Sequence, residues 1–225
     1  MLTRALVLTA IASVLLTACD KKPTPTTPSP DTPNPPATQP LPVVTAIEPN
    51  VLSADGGTVV TVTGTDFVSV LNVTFGGKTA LAMTLDSDTT VTATAPPGTP
   101  GTAAIAVVAS AGTSAENEAS KFTWDENTLL GISFPAPSVR AGAVVKGSVT
   151  VKYPGPPDGL VLPLFWKITP DVGAAVLYPQ NAYVPAGSTV GSFEVTTLFS
   201  SSGKQVEVAT AHGGATKVTN LTITP

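Results

Sequence analysis

From Val43 to the C-terminus the chain is written in short alternating runs, broken by glycine and proline about every eight to twelve residues. No helical period is sustained through any of them. Thr58-Val59-Val60-Thr61-Val62-Thr63 alternates between Gly56-Gly57 and Gly64, and Asn72-Val73-Thr74-Phe75 runs into Gly76-Gly77 ahead of Lys78-Thr79-Ala80. A period of two lays alternate side chains on opposite faces of a sheet, and a Gly-Gly pair supplies the positive φ that a tight hairpin needs. Thr89 to Ala95 alternates up to Pro96-Pro97-Gly98, Thr102 to Ser110 reads as a small-residue strand, and Ala119 to Trp124 closes this first set.

A second set follows from Asp125 to Pro225. Val149, Val151 and Tyr153 share one face of a strand from Val144 to Tyr153. Leu162, Leu164, Trp166 and Ile168 share one face of a strand from Leu160 to Ile168. Gly191 to Thr197 is another strand, and Val206 to Ala211 and Thr216 to Ile223 flank the hairpin signal Gly213-Gly214. The fold class expected is all-β, with two sandwiches at residues 43–124 and 125–225. Each is long enough to bury a core. The sets are not copies of one another, and the short junction from Asp125 to Gly131 leaves rigid and hinged arrangements both open.

The N-terminal part reads differently. Arg4 precedes the apolar run Ala5 to Leu16, which has the length of a secretory h-region and is short for a bilayer span. Leu16-Thr17-Ala18-Cys19 follows and resembles the bacterial lipobox. That resemblance implies a signal peptide at 1–18, cleavage between Ala18 and Cys19, and a lipid-bearing Cys19 tethered to a membrane by acyl chains. Two or three chains would hold stably, at about 0.8 kcal/mol per buried methylene. Cys19 is the only cysteine of 225 residues, so a disulfide framework and multi-thiolate metal sites are excluded. Asp20, next after it, marks inner-membrane retention in some lineages only, so the membrane stays open. Within residues 19–42, nine of the last twenty residues are proline, from Pro23 to Pro42. No apolar pattern runs through them. Polyproline II geometry at about 3.1 Å per residue would make this a spacer of roughly 60 Å.

Two further resemblances concern the sandwiches. Pro49, Gly56-Gly57-Thr58, Val60, Val62, Gly64 and Phe67 stand at the spacing of an IPT/TIG domain. Val73-Thr74-Phe75-Gly76-Gly77 and Ala95-Pro96-Pro97-Gly98 match the segments that follow in that family. The resemblance implies an immunoglobulin-like fold, known from cell-surface receptors, some transcription factors and accessory domains of bacterial secreted proteins, with no catalytic residues to transfer. Val184-Pro185-Ala186-Gly187, Phe193-Glu194-Val195-Thr196-Thr197, Gly213-Gly214 and Leu221 to Pro225 are similar to the Ig-like repeat of bacterial surface proteins, which implies a structural or adhesive module.

Chemistry-bearing residues are few. A net charge of −4 without a basic run gives nothing to neutralise phosphates, so nucleic acid is not an expected partner. The one histidine, His212, sits beside Gly213-Gly214, and no Gly-x-Ser-x-Gly elbow accompanies it, so it reads as a polar turn residue. Asp86-Ser87-Asp88, with Asp55 or Asp66, falls short of the six or more oxygens calcium takes and reads as a solvated turn. Glu116, Glu118, Asp125 and Glu126 read as a hydrated linker face. No cofactor, metal or enzymatic activity is expected. Adjacent strand residues point to opposite faces, so Trp166 is expected inside and Phe165 outside, with Pro163 suggesting an edge strand. Phe165, Tyr178 and Tyr183 are the candidate binding surface. The function expected is a non-catalytic envelope lipoprotein, facing periplasm or exterior, whose Ig-like domains contact protein. A cell-wall or carbohydrate-binding module and a passive spacer are the alternatives.

Overall fold

The computed structural model describes residues 39–170 and 176–225. The signal-peptide, lipobox and most of the spacer expectations lie outside them. Among the described residues the chain is built from nineteen strands and two short 3-10 turns, with no α-helix.

The first ten strands are β1 (Val43–Glu48), β2 (Val51–Ser53), β3 (Val59–Thr65), β4 (Val70–Phe75), β5 (Lys78–Thr79), β6 (Ala82–Leu85), β7 (Thr90–Thr94), β8 (Gly101–Ala109), β9 (Gly112–Thr113) and β10 (Lys121–Asp125). One sheet runs β1-β3-β7-β6. The other runs β2-β10-β8-β4-β5, with β9 against β8. Alternation decides which side chains go in: Val60 and Val62 are buried while Val59, Thr61 and Thr63 are exposed. Phe67, Phe75, Ile105, Phe122 and Trp124 join them in one core. The Gly76-Gly77 expectation holds. Phe75 pairs with Lys78 across a two-residue turn whose φ values are 53° and 82°, the primed geometry that suits strand twist. Gly64 is required for a different reason, since a Cβ there would collide with the Phe67 ring and the Val43 carbonyl.

The remaining strands are β11 (Leu129–Ser133), β12 (Ser138–Arg140), β13 (Val144–Val151), β14 (Leu160–Thr169), β15 (Val176–Leu177), β16 (Asn181–Val184), β17 (Val190–Thr197), β18 (Gln205–His212) and β19 (Ala215–Thr224). They form the continuous order β11-β13-β17-β16-β14-β18-β19-β12, with β15 against β17. The core takes Leu162, Leu164, Phe193, Val195, Val206, Val208, Leu221 and Ile223 among others. β14 joins the two layers. Its residues 160–163 pair with β16 and its residues 164–169 pair with β18. Pro163 lies at this change of partner, and although the order is continuous, each half of β14 stands at the edge of its own sheet, as the proline suggested. A donor-less residue is accommodated because each half of the strand needs a ladder on one side only.

Candidate functional site

Two places bring polar or aromatic groups together. The first is the junction between the sandwiches. β13 ends at Val151, two residues before the expected Tyr153, because Lys152 and Tyr153 turn to the junction instead. The Asn127 side chain, 1% exposed, accepts from the Tyr153 backbone N–H at 2.7 Å. Its Nδ2 donates to Asp55 Oδ2 at 2.8 Å and to the Tyr153 carbonyl at 3.3 Å. His212 Nε2 meets the same Asp55 oxygen at 2.9 Å. Asp125 Oδ2 accepts from Lys152 Nζ at 2.5 Å and from the Tyr153 hydroxyl at 2.7 Å. The expected hydrated linker face is therefore, at Asp125, a bonded one. His212 is more than a turn residue, since it ties the β18–β19 hairpin to the loop after β2. Gly213 permits that approach, because a Cβ there would strike the Asn127 backbone.

These contacts shift the titrations in opposite directions. The Asp55 hydrogen bond, opposed by burial and helped by the charges of Asp55 and Glu126, raises the His212 pKa above its ordinary 6.5. Burial raises the Asp55 pKa, but hydrogen bonds from His212 and Asn127 outweigh it and leave the carboxyl below 3.8. The His212 contribution is thus complete below 6.5 and lost as pH rises through the folded value. The Asp55 contribution is present above 3.8 and lost as pH falls through its folded value. Both are in force between about pH 4 and 6.5. Wild-type protein is expected to melt at a higher temperature near pH 6 than near pH 9, with a smaller difference in His212→Gln. Equal differences in scanning calorimetry would show that the bridge contributes nothing.

The second place is on the sheet around β17. Leu177, Tyr178, Pro179, Asn181, Tyr183, Ser192, Phe193, Glu194 and Thr196 line a cleft of about 410 Å³. A neighbouring cleft of about 520 Å³ is lined by Trp166, Lys167, Ile168, Thr169 and Tyr178, so the two meet at Tyr178. Tyr178 stacks on Trp166, with centroids 4.9 Å apart and planes 28° apart. The Trp166 indole N–H donates to the Pro179 carbonyl at 2.8 Å, which holds the backbone that carries Tyr178. Tyr183 lies over Gly159, where a Cβ would collide with its ring, and its hydroxyl donates to the Asp158 carbonyl at 3.4 Å.

Of the three expected surface aromatics, Tyr178 and Tyr183 share one cleft. Phe165 lines neither cleft. It is 61% exposed and stands in register with Ala209, which in turn faces Val218. Trp166 is partly buried against the second core, as its face predicts. The Asp86 carboxylate accepts from Thr92 Oγ1 at 2.7 Å and serves its own turn. Among the described residues no three His, Cys, Asp or Glu converge as a metal site, and no helix is long and apolar enough to cross a membrane. The junction residues Asp55, Asn127 and His212 were not legible as a group, since Asp55 lies 72 positions from Asn127 and 157 from His212.

This architecture is all-β and immunoglobulin-like. Residues 42–124 match the family model of the IPT/TIG domain. No curated protein matches the chain. Among solved structures it aligns with the Yersinia pseudotuberculosis adhesin InvE at 19% identity and TM-score 0.40, over 79% of this chain and 57% of that one. The Escherichia coli adhesin FdeC aligns at 17% and 0.32, over 82% and 64%. SGBP-B from a xyloglucan utilization locus of Bacteroides uniformis aligns at 14% and 0.31, over 80% and 48%. The chain spans less than two thirds of the length of each.

Proposed function

We propose that this chain is a non-catalytic binding protein of the bacterial cell envelope, anchored through acyl chains on Cys19 and cleaved after Ala18. Its proline-rich segment, residues 19–42, lifts two Ig-like domains, 43–124 and 125–225, off the membrane for contact with a partner protein. The observation that carries the reading is where the chain enters and leaves the first sandwich. Val43, the first residue of β1, pairs with Thr65, the last residue of β3. The chain leaves through Asp125, beside Ser53. Val59, at the opposite end of β3, lines a cleft together with Tyr153 and Pro154 of the second sandwich. The second sandwich thus attaches at the end of the first opposite Val43, and the Asp55–Asn127–His212 bonds hold it there. A second module bonded to the first at the end opposite Val43 suits presentation to a partner. The sole histidine is committed to this bridge, which supports a binding role over general acid–base chemistry.

Two measurements test the reading. Wild-type protein is expected in the membrane fraction with incorporated palmitate, and Cys19→Ser in the soluble fraction without it. Crosslinking in living cells is expected to capture a reproducible partner that disappears when residues 125–225 are deleted. Unchanged membrane attachment of Cys19→Ser would remove the anchor. Capture no better than background would remove the protein-contact role.

A further inference from the structure

We propose that the paired clefts meeting at Tyr178 form a binding site for an uncharged oligosaccharide. Three observations select that ligand class. The site combines aromatic rings with hydrogen-bonding groups, since Asn181, Ser192 and Glu194 line the same cleft as Tyr178 and Tyr183. Sugar rings present apolar C–H faces and polar rims, and such a lining matches both. The charges are balanced along the ladders: Glu194 stands directly across from Lys146, and Lys167 directly across from Glu207. An ionic ligand would therefore find no net field to recognise. The clefts are also consecutive, sharing Tyr178, which suits a chain of several sugars over a single ring.

The rings are braced before any ligand arrives. Trp166 supports one face of Tyr178, and Gly159 leaves room for Tyr183 to lie over the backbone. Rings already held lose little rotamer freedom on binding, so the contact is not offset by ordering. Phe165 belongs to another row and takes no part.

This site does not depend on the protein-contact reading above, and the two fail separately. The test is titration of the full chain, purified in mild detergent, with cellohexaose, maltohexaose and chitohexaose, followed by calorimetry and tryptophan fluorescence. Saturable binding of one of them is expected, with a fluorescence change because Trp166 lies beneath Tyr178. Tyr178→Ala and Tyr183→Ala are each expected to weaken it about tenfold or more, and Phe165→Ala to leave it unchanged. Circular dichroism separates lost binding from lost folding, and Tyr183→Phe, which keeps the ring, is expected to retain most of the affinity. Preference for chitohexaose would indicate a cell-wall source, and preference for a glucan an external one. No saturable binding up to roughly 10 mM of any of the three would overturn the site. So would binding that survives both alanine variants.

Discussion

Phe122→Ala is expected to destabilise the first sandwich by about 3–5 kcal/mol. Phe122 is 2% exposed and sits between two rings that it meets edge to face, Phe75 at 5.7 Å and Trp124 at 4.8 Å. Truncation opens a cavity between two sheets whose other side chains cannot follow. It also breaks both ring contacts, each worth about 0.5–1.5 kcal/mol beyond burial. Collapse onto the gap is restricted on the Trp124 side, where the indole already lies so close to Gly98 that no Cβ would fit there. For a domain of this size the midpoint of its melting transition should fall by at least about 12 °C. Phe165→Ala is the control: its ring is 61% exposed, and the change should stay within about 0.5 kcal/mol. Calorimetry of both variants decides the matter. Similar midpoints would mean that the aromatic chain is not the centre of the first core.

Asn127→Ala is the second large effect, at about 1–3 kcal/mol, and it acts on the junction. The Asn127 side chain contacts both sides: it accepts from the Tyr153 N–H and donates to Asp55. Alanine would leave the Tyr153 donor without its acceptor and would take from Asp55 one of the two hydrogen bonds that offset its burial. Removal of one partner costs more than the bond is worth, because the group left behind stays desolvated. The Tyr153 amide should then exchange with solvent much faster than in wild type, while amides of β3 and β18 keep their protection. A double-mutant cycle with Asp55→Ala is expected to show coupling of about 0.5–3 kcal/mol, because the two side chains share one network. Unchanged exchange at Tyr153, or additive effects, would show that Asn127 does not couple the two sandwiches.

The strand pattern was readable because burial in a sandwich has period two and needs no knowledge of partners. Val60 and Val62, Leu162 and Leu164, and Val206 and Val208 all went to the face that alternation assigns them. The Gly76-Gly77 and Gly213-Gly214 hairpins were readable for the same local reason, since both turns require positive φ at two successive residues. The inward Trp166 and outward Phe165 followed from adjacency alone. The limits of local reading show at Pro163. One missing donor suggested an edge, and each half of the strand does carry a single ladder, but nothing local told that the strand passes from one sheet to the other there.

Sequence by itself thus determined the all-β class, the places where strands turn, which face of each strand is apolar, and the text of the IPT/TIG segment. These depend on residues within a few positions of one another. Tertiary structure alone decided that Asp55, Asn127 and His212 meet, and that Tyr178 and Tyr183 line one cleft while Phe165 lies apart. It also decided that the second sandwich is seated at the end of the first opposite Val43. Such groupings depend on which strands become neighbours and in what register. That is settled by the burial of both cores at once, a sum over the whole chain to which no short segment carries the answer.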